Sequence, residues 1–308
     1  MNKEQLPTVS VGIPVYNNSE FLGKTIESIL NQTFKDIEII VVDDGSPCPE
    51  VFKIISSFGH PVKAFRQENK GPAAARNLCI EKATGKYIAF CDSDDLWMAN
   101  KLEKQLEILE NNPIYSYIFS SMKCFDNKTG ATLGFVPKEV PKYDFFTSQL
   151  IRGIICPPAV IIRREVFDQI EWFDTSLRFM EDLEFFLRLA FNFNGYYIDE
   201  PLALARKHDS NTTLNRKMFY EPELIIHTRW YEGGKLNPLQ TKLVKKKIAK
   251  AYFDKANWMQ NDFRLKTKTK NISPDYINFM KMAIKFDPKK FRYLQRLAKA
   301  YFYKLVSI

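Results

Sequence analysis

The feature that most constrains this chain is a short apolar segment, residues 87–95, that ends abruptly in acid. Its first residues are apolar without a break, which is typical of a strand buried on both faces. Asp92, Asp94 and Asp95 follow at once. Carboxylates crowded at the end of a buried strand repel one another unless a cation neutralises them, and such oxygen ligands suit Mg²⁺ or Mn²⁺. The alternative is a solvated turn that caps a helix starting near Leu96.

Strand and helix patterns alternate four times at the start of the chain. Buried apolar runs predict four strands, at residues 8–16, 37–42, 62–66 and 87–91. Apolar residues at helical spacing predict four helices, at residues 20–32, 49–58, 72–83 and 96–111. This alternation predicts an α/β fold with a mainly parallel, doubly wound sheet, whose ligands bind at the carboxyl ends of the strands. Polar residues follow three of these strands, and we expect them to share one site.

The pattern loosens beyond residue 111. Further strands are predicted at residues 115–125, 131–136, 158–163 and 195–199, and further helices at 142–152, 164–170 and 180–191. From residue 217 onward the sequence offers no strand candidates, and Lys-rich helical patterns cover residues 240–258, 274–284 and 288–306. We therefore predict two domains, an α/β domain at residues 1–215 and a basic all-α region at residues 216–308.

Charge divides the chain near the same place. Residues 1–200 carry 21 Lys and Arg against 28 Asp and Glu, a net charge of −7. Residues 201–308 carry 24 against 8, a net charge of +16, and the two parts give the +9 of the whole chain. The second part is therefore expected to face something anionic. Because the sequence shows no recognition helix and no base-stacking platform, nucleic acid is disfavoured and an anionic membrane surface is favoured.

The last helical pattern is basic and amphipathic. Its predicted apolar face contains Leu294, Leu297, Ala298, Tyr301 and Leu305, and Lys and Arg residues flank that face. Such a helix can lie in an anionic membrane interface, so we predict peripheral membrane contact through residues 288–308. The alternatives are a helix docked on its own protein and a homodimer interface.

Two further observations bear on location. The sequence has no run of 18 apolar residues and no apolar segment typical of a signal peptide near its N-terminus. Its five cysteines are scattered, without metal-ligand spacing, which fits a reduced compartment. We expect a cytoplasmic protein, peripheral on the inner face of the cytoplasmic membrane.

Taken in order, the motifs resemble those of the family 2 glycosyltransferases of the GT-A fold. The residues that carry the resemblance are Val9-Ser10-Val11-Gly12-Ile13-Pro14-Val15-Tyr16-Asn17, Val41-Val42-Asp43-Asp44-Gly45-Ser46, Asn69-Lys70-Gly71, Ala75-Arg76-Asn77, Gly85-Lys86-Tyr87-Ile88, Asp92-Ser93-Asp94-Asp95 and Glu181-Asp182. The match spans residues 8–208. Each motif is weak alone, and their order and spacing make the set specific.

The resemblance implies a nucleotide-sugar donor, and it assigns residues to the nucleoside and to the diphosphate of that donor. Pro14 and Tyr16 match the floor of the nucleoside pocket, where an aromatic ring can stack on a base. Asp44 matches the carboxylate that accepts from the uracil ring N–H. Lys70 and Arg76 offer cations near the base and the diphosphate, and arginine suits bidentate phosphate contact. The alternative for the two cations is an ordinary charge on a helix surface.

The resemblance also implies a divalent metal, Mn²⁺ or Mg²⁺. Asp92 matches the residue of the ribose and metal shell, with Ser93 beside it on the donor side, and Asp94 matches the direct metal ligand. His208 matches a histidine that supplies a further ligand in some relatives. A lone histidine is as readily a surface or hydrogen-bonded residue, and Asp95 is expected to cap the next helix.

Inversion at the anomeric carbon, which the family also implies, needs a base that takes the proton of the acceptor hydroxyl. Asp182 matches this base, and Glu181 is expected to orient the base or the acceptor. The alternative is that both acids favour a helix N-terminus through its dipole. The acceptor is expected to be a hydroxyl of a bacterial surface glycan or a lipid-linked oligosaccharide.

Two other functions are open. A nucleotidyltransferase with a similar sheet would need a Gly-rich phosphate loop after the first strand, and residues 16–20 contain no glycine. An inactive membrane-bound glycan-binding scaffold would show damaged acids, whereas Asp44, Asp92, Asp94 and Asp182 are all present.

Overall fold

The computed structural model describes residues 6–211, 214–267, 272–273 and 275–306. The chain divides into two compact units, residues 1–211 and residues 212–308. In the described part of the chain, the strands all lie in the first unit, and the second unit is built from helices.

The first unit contains nine strands in its described residues. They are β1 (Val9–Val15), β2 (Ile37–Asp43), β3 (Val62–Arg66), β4 (Tyr87–Phe90), β5 (Leu96–Trp97), β6 (Tyr117–Asp126), β7 (Thr132–Val136), β8 (Val160–Arg163) and β9 (Gly195–Lys207). Its α-helices are α1 (Ser19–Leu30), α2 (Glu50–Ser56), α3 (Pro72–Lys82), α4 (Lys101–Asn111), α5 (Phe145–Arg152) and α6 (Glu181–Asn192). Short 3₁₀ turns cover Pro157–Ala159 and Arg164–Asp168.

The strands form one sheet in the order β3-β2-β1-β4-β8-β6-β9-β5, and β7 pairs with β6. The first four strands are parallel, as predicted. β8 then pairs antiparallel with β4, while β6 and β9 pair parallel. The predicted α/β architecture is confirmed, with a sheet that is parallel in its first half and mixed in its second. This order brings the carboxyl ends of β2, β1 and β4 side by side.

Helices cover both faces of the sheet, which explains why β1 and β2 are buried along their whole length. In β1, β2 and β4, one apolar cluster joins odd-numbered residues such as Val11 and Ile39 to α1, α2 and α4. The other cluster joins even-numbered residues of these strands, such as Ile40 and Phe90, to α3 and α6. Successive side chains along a strand point to opposite faces of the sheet, so each strand contributes residues to two separate core layers.

Several predicted boundaries shift. The helix predicted from Leu96 begins at Lys101, because Leu96 and Trp97 instead pair antiparallel with Leu204 and Ala203 of β9. The prediction that Asp95 caps this helix is wrong, since the residue preceding the helix is Asn100. β9 is also longer than predicted, because it pairs with β6 and with β5.

The second unit is described by itself. Its helices are α7 (Tyr220–Glu232), α8 (Pro238–Thr267), α9 (Tyr276–Phe286) and α10 (Phe291–Val306). Residues of α8, α9 and α10, among them Phe253, Met280 and Tyr293, form an apolar cluster. The sequence did not predict α7. Helix α8 extends to Thr267, well beyond the predicted end at residue 258, whereas α9 and α10 begin and end within about three residues of their predicted bounds.

Helix α10 is anchored on its own unit by one face. Tyr293 and Ala300 are buried, and Leu297 packs against the same cluster. Leu294 and Tyr301, also predicted to belong to the apolar face, are exposed, and the Leu305 side chain lies outside those described. No helix within the described residues is both long enough and apolar enough to span a bilayer.

The close approach of β1 to α3 generates a stability prediction. A Cβ atom on Gly12 would lie 2.7 Å from the Cβ atom of Cys79, whereas one on Gly23 in α1 would meet only an ordinary contact at 3.9 Å with Ile54. We expect Gly12→Ala to lower the free energy of unfolding by about 1–3 kcal/mol through overpacking. Gly23→Ala should raise it by about 0.5–1 kcal/mol through reduced chain entropy. Urea unfolding followed by circular dichroism measures both, and two changes of the same sign would contradict the close-packing argument.

Candidate active site

Three neighbouring strand ends carry the predicted site residues. β1 ends beside Tyr16, β2 beside Asp44 and β4 beside Asp92. Tyr16 is 52% exposed, whereas Pro14 is buried within β1. An exposed aromatic ring at the carboxyl edge of a buried parallel sheet is available to stack on a planar ligand.

Asp44 is buried and largely occupied by protein donors. Its Oδ1 atom accepts hydrogen bonds from Gln67 Nε2 at 2.7 Å and from the backbone N of Lys70 at 2.9 Å. Its Oδ2 atom accepts from the backbone N of Gly71 at 2.9 Å. A carboxylate has about four acceptor positions, so one remains near Oδ2. Asp44 therefore holds the start of α3 in place while keeping capacity for one further donor.

Arg76 lies at the centre of the site. Only 5% of its surface is exposed. Its Nη2 atom donates a hydrogen bond to Asp92 Oδ1 at 2.7 Å, and its Nη1 atom donates one to Glu181 Oε1. The predicted bidentate phosphate contact is thus replaced, in this structure, by contacts with two carboxylates. Helix α3 therefore joins the acid-rich end of β4 to the start of α6.

The acidic pair Glu181 and Asp182 opens α6, where the N-terminus of the helix favours negative charge. Glu181 is buried, and its burial, opposed by Arg76, raises its pKa to about 7. Asp182 is partly exposed and its Oδ1 atom accepts from the backbone N of Leu183 at 2.8 Å. Burial also raises the pKa of Asp182, with Arg76 opposing and Asp92 adding to the rise.

The residue before this pair has an unusual backbone. Met180 adopts φ 63° and ψ 18°, a left-handed conformation that is costly for a side chain of this size. Such strain persists only where the surroundings impose it. Here it turns the chain directly into the first residue of α6, and so places Glu181 against Arg76.

Asp94 and His208 face each other across the site. His208 Nε2 lies 3.0 Å from Asp94 Oδ2, and His208 Nδ1 lies 2.8 Å from Ser210 Oγ. The side chain of Asn211 donates to Asp94 Oδ2 at 3.3 Å. Burial, and next the charge of Asp92, raise the pKa of Asp94. A second contact to Ser210 orients the imidazole, as second contacts commonly do for metal-binding histidines.

The two remaining members of the acidic motif have structural contacts. Asp95 is buried, and its Oδ1 atom accepts from the backbone N of Arg206 at 2.9 Å. Ser93 Oγ accepts from Asn18 Nδ2 at 3.0 Å. Asp95 thus anchors β9 beside the motif instead of capping α4, and Ser93 ties the motif to the loop after β1.

Arg206 is a site residue that the sequence analysis missed. Its Nε atom donates to the backbone carbonyl of Asp94 at 2.8 Å, and its guanidinium lies over the ring of Phe21, 4.7 Å from the centroid. Phe21 also contacts the ring of His208 at 4.7 Å. Arg206 therefore supports both Asp94 and His208. Its position two residues before His208 was the available signal.

Most predicted residues thus meet at one edge of the first unit. Arg76 joins Asp92 to Glu181, the charges of Asp92 and Asp182 act on each other, and Asp94 contacts His208. Lys70 is exposed, and the structure places only its backbone N in contact with the site, at Asp44.

A metal would have two protein ligands at this site. In the described residues no group of three or more His, Cys, Asp or Glu side chains is placed to hold a metal. Asp94 and His208 form a pair whose facing atoms are 3.0 Å apart, which is about the separation of adjacent ligands in an octahedral site with bonds of about 2.1 Å. Their oxygen and imidazole donors suit Mn²⁺, which like Mg²⁺ can complete its shell with phosphate oxygens.

Comparison with known proteins identifies a matching family. The family model described as Glycosyl transferase family 2 matches residues 10–171. A Bacillus subtilis (strain 168) protein, TuaG, whose name assigns it to teichuronic acid biosynthesis as a glycosyltransferase, is 31% identical over 259 residues. That alignment covers 82% of this chain and 92% of TuaG.

Solved structures match the fold over most of the chain. S. aureus TarS 1-349 in complex with UDP-GlcNAc matches with a TM-score of 0.68 and 20% identity, covering 91% of this chain and 81% of that chain. Against the longer TarS structure, this chain spans 50% of the length. The mannosyltransferase PcManGT from Pyrobaculum calidifontis, solved with GDP-Man and Mn²⁺, matches with a TM-score of 0.55 and 16% identity, covering 92% and 86%. At these identities the likeness shows a shared fold.

The bridge made by Arg76 generates a stability prediction. Arg76→Gln removes a buried cation and leaves the Glu181 and Asp92 carboxylates without it. We expect the free energy of unfolding to fall by about 3–5 kcal/mol, because breaking a buried ion pair leaves an uncompensated charge. The control is Lys86→Gln, which removes an exposed partner of Glu110 and should cost less than about 1 kcal/mol. If urea unfolding showed the same fall in the free energy of unfolding for both variants, the buried ion pairs of Arg76 would stabilise the fold no more than an exposed pair does.

Proposed function

The chain belongs to glycosyltransferase family 2, and on that premise we propose that it moves a sugar from a UDP-sugar to a hydroxyl of a bacterial surface glycan or lipid-linked oligosaccharide. The transferred group is a hexosyl or N-acetylhexosaminyl residue, and the reaction inverts the configuration at the anomeric carbon. Because the chain belongs to this family, the alternative function of a nucleotidyltransferase is no longer supported.

One observation carries the proposal. Arg76 contacts both Asp92, at the end of β4, and Glu181, at the start of α6. The motif expected to hold the donor and the motif expected to activate the acceptor therefore lie within one side chain of each other. A transferase needs this proximity, because donor and acceptor must react while both are bound.

The donor side is proposed to use the strand ends. Tyr16 offers an exposed ring on which the base can stack, and the remaining acceptor position of Asp44 suits an N–H of uracil. The exposed side chain of Lys70 is assigned to bring its ammonium group to the diphosphate. The UDP-GlcNAc complex of TarS supports a uridine nucleotide, since that protein shares the fold.

The acceptor side is proposed to use Asp182 as the general base. The acceptor hydroxyl oxygen forms a bond to the anomeric carbon, the bond from that carbon to the UDP oxygen breaks, and the hydroxyl proton passes to Asp182. The raised pKa of Asp182 makes its carboxylate a better base near neutral pH, which favours this role. Glu181, held by Arg76, is assigned to orient the base or the acceptor.

Asp94 and His208 are proposed to hold a divalent cation, Mn²⁺ or Mg²⁺, with Asp92 nearby. When bound, such an ion would neutralise negative charge on the departing diphosphate. The Mn²⁺ complex of PcManGT supports this assignment for the fold. Arg206 and Ser210 are assigned to keep Asp94 and His208 in place.

The biological setting is also proposed. The name of TuaG supports an acceptor in bacterial glycan synthesis. Three predictions about this setting stay open to test. They are a cytoplasmic location, peripheral contact with the inner face of the cytoplasmic membrane through residues 288–308, and a homodimer. The exposed apolar residues Phe291, Leu294 and Phe302 favour some contact of α10 beyond its own unit.

A first experiment tests the donor and the base together. In the presence of Mn²⁺, a UDP-sugar should raise the unfolding midpoint of the wild-type protein and of Asp182→Asn alike, because only ligand bound to the folded state stabilises it. Transfer by Asp182→Asn should fall by about 10²–10⁴-fold, the usual contribution of a general base. Asp168→Asn, an exposed aspartate, serves as the control and should transfer normally.

Each failure in that experiment has a distinct meaning. No midpoint shift with any nucleotide-sugar would contradict the donor assignment and favour an inactive scaffold. Full transfer by Asp182→Asn would place the base elsewhere.

A second experiment tests the metal ligands. EDTA should abolish transfer by the wild-type protein, and Mn²⁺ should restore it. His208→Ala should raise the Mn²⁺ concentration needed for half-maximal transfer by at least about 10–100-fold, because even the loss of a residue that only orients a metal ligand has an effect of that size. His60→Ala, at an exposed histidine in the same unit, is the control and should leave the Mn²⁺ requirement unchanged. Transfer that is insensitive to EDTA would remove the metal from the proposal.

A further inference from the structure

The second unit contains a large open cavity of about 1100 Å³. It lies between α8 and the segment that joins α9 to α10, and every lining residue belongs to the second unit. Sites for small molecules commonly have volumes of about 300–1,000 Å³, so this cavity has room for more than a single sugar or phosphate group.

One wall of the cavity is a row of lysines on α8. Lys242, Lys246 and Lys250 are four residues apart, so they project from one face of the helix, and Lys245 adds a fourth cation. Lys250 forms an ion pair with Asp254. Lys242 and Lys246 are exposed and have no ion-pair partner among the described residues.

The opposite wall is also cationic. Lys289, Lys290 and Arg292 line it from the start of α10 and the turn before it. Within the described part of the chain, Lys289 and Lys290 form no ion pair. The lining therefore contains seven cations against the carboxylates of Asp254 and Asp287. An excess of like charge around one cavity raises the free energy of the folded unit unless an anion neutralises it.

The space between these walls is largely apolar. Phe253, Phe286 and Tyr293 line it, together with Leu236 and Pro288. Arg292 lies over the ring of Phe253, with its Cζ atom 5.1 Å from the centroid. Aromatic faces between cationic walls suit a ligand that has both anionic groups and the apolar C–H faces of sugar rings.

We propose that this cavity binds a segment of an anionic glycan, a sugar chain that carries carboxylate or phosphate groups along its length. A single small anion would fill only a small part of the 1100 Å³, whereas a chain with spaced anionic groups can meet the cations of α8 as well as those at the start of α10. A membrane surface is approximately flat and cannot fill a concave cavity. The assignment of this glycan as the acceptor rests on the proposed function, while the anion site itself does not.

Binding of defined probes to the full chain tests the proposal. Hexagalacturonate supplies spaced carboxylates on sugar rings, and maltohexaose is its neutral counterpart of equal length. Inorganic tripolyphosphate and vesicles containing phosphatidylglycerol represent free phosphate and a lipid surface. Titration calorimetry measures the soluble probes, and sedimentation measures the vesicles.

A matched pair of triple variants locates the site. Lys242→Gln, Lys246→Gln and Lys289→Gln together remove three charges from the cavity. Arg264→Gln, Lys281→Gln and Arg296→Gln remove three charges from exposed residues of the same unit that do not line it. We expect the cavity variant to bind hexagalacturonate about tenfold or more weakly, and the control within about twofold of the wild-type protein. Maltohexaose should not bind.

Other outcomes overturn the proposal. Absence of hexagalacturonate binding, or equal weakening in both variants, would show that the cavity is no glycan site. Cavity-dependent binding of tripolyphosphate or vesicles without binding of hexagalacturonate would assign it to free phosphate or to lipid headgroups. Sugar transfer and the midpoint shift with a UDP-sugar are both measured on the same preparations, so a failure of the proposed transfer activity is distinguished from a failure of this site.

Discussion

The interaction on which the rest of the site depends is the contact of one buried guanidinium with two carboxylates. Arg76, Asp92 and Glu181 come from α3, the end of β4 and the start of α6. A buried charge is unfavourable by itself, so each of these groups requires the others. The pairing therefore fixes the relative positions of three elements, and with them the distance between the two acidic motifs of a family 2 glycosyltransferase.

Around this contact, the acids at the strand ends divide into two groups. Asp43, Asp44 and Asp95 are buried and accept hydrogen bonds from protein groups, so they shape the loops that follow the strands. Asp92 and Asp94 are only partly buried. Burial and mutual repulsion are offset for Asp92 by Arg76, and for Asp94 by His208. An acidic cluster can persist here because each carboxylate has its own compensating partner, and the most accessible ones are left for chemistry.

The second unit differs from the first in its core and in its charge. Its helices pack through a small aromatic and alanine core, while lysines gather around an open cavity. Seven of the 24 Lys and Arg residues in residues 201–308 line this cavity, so part of the net charge of +16 is gathered at one place in the structure. A catalytic unit of net negative charge linked to a basic unit suits an enzyme whose acceptor is polyanionic, because the basic unit can raise the local concentration of such a substrate.

The sequence by itself determined the α/β class, the four parallel strands that open the sheet and the set of acids that follow them, because apolar periodicity and strand order are local signals. It missed α7, whose polar residues and Pro222 weaken the helical period, and it misassigned Asp95 as a helix cap. Only the tertiary structure decided which partner each charged group has. Arg76 and Glu181 are 105 residues apart, and no local pattern records that the burial of one charge requires the other.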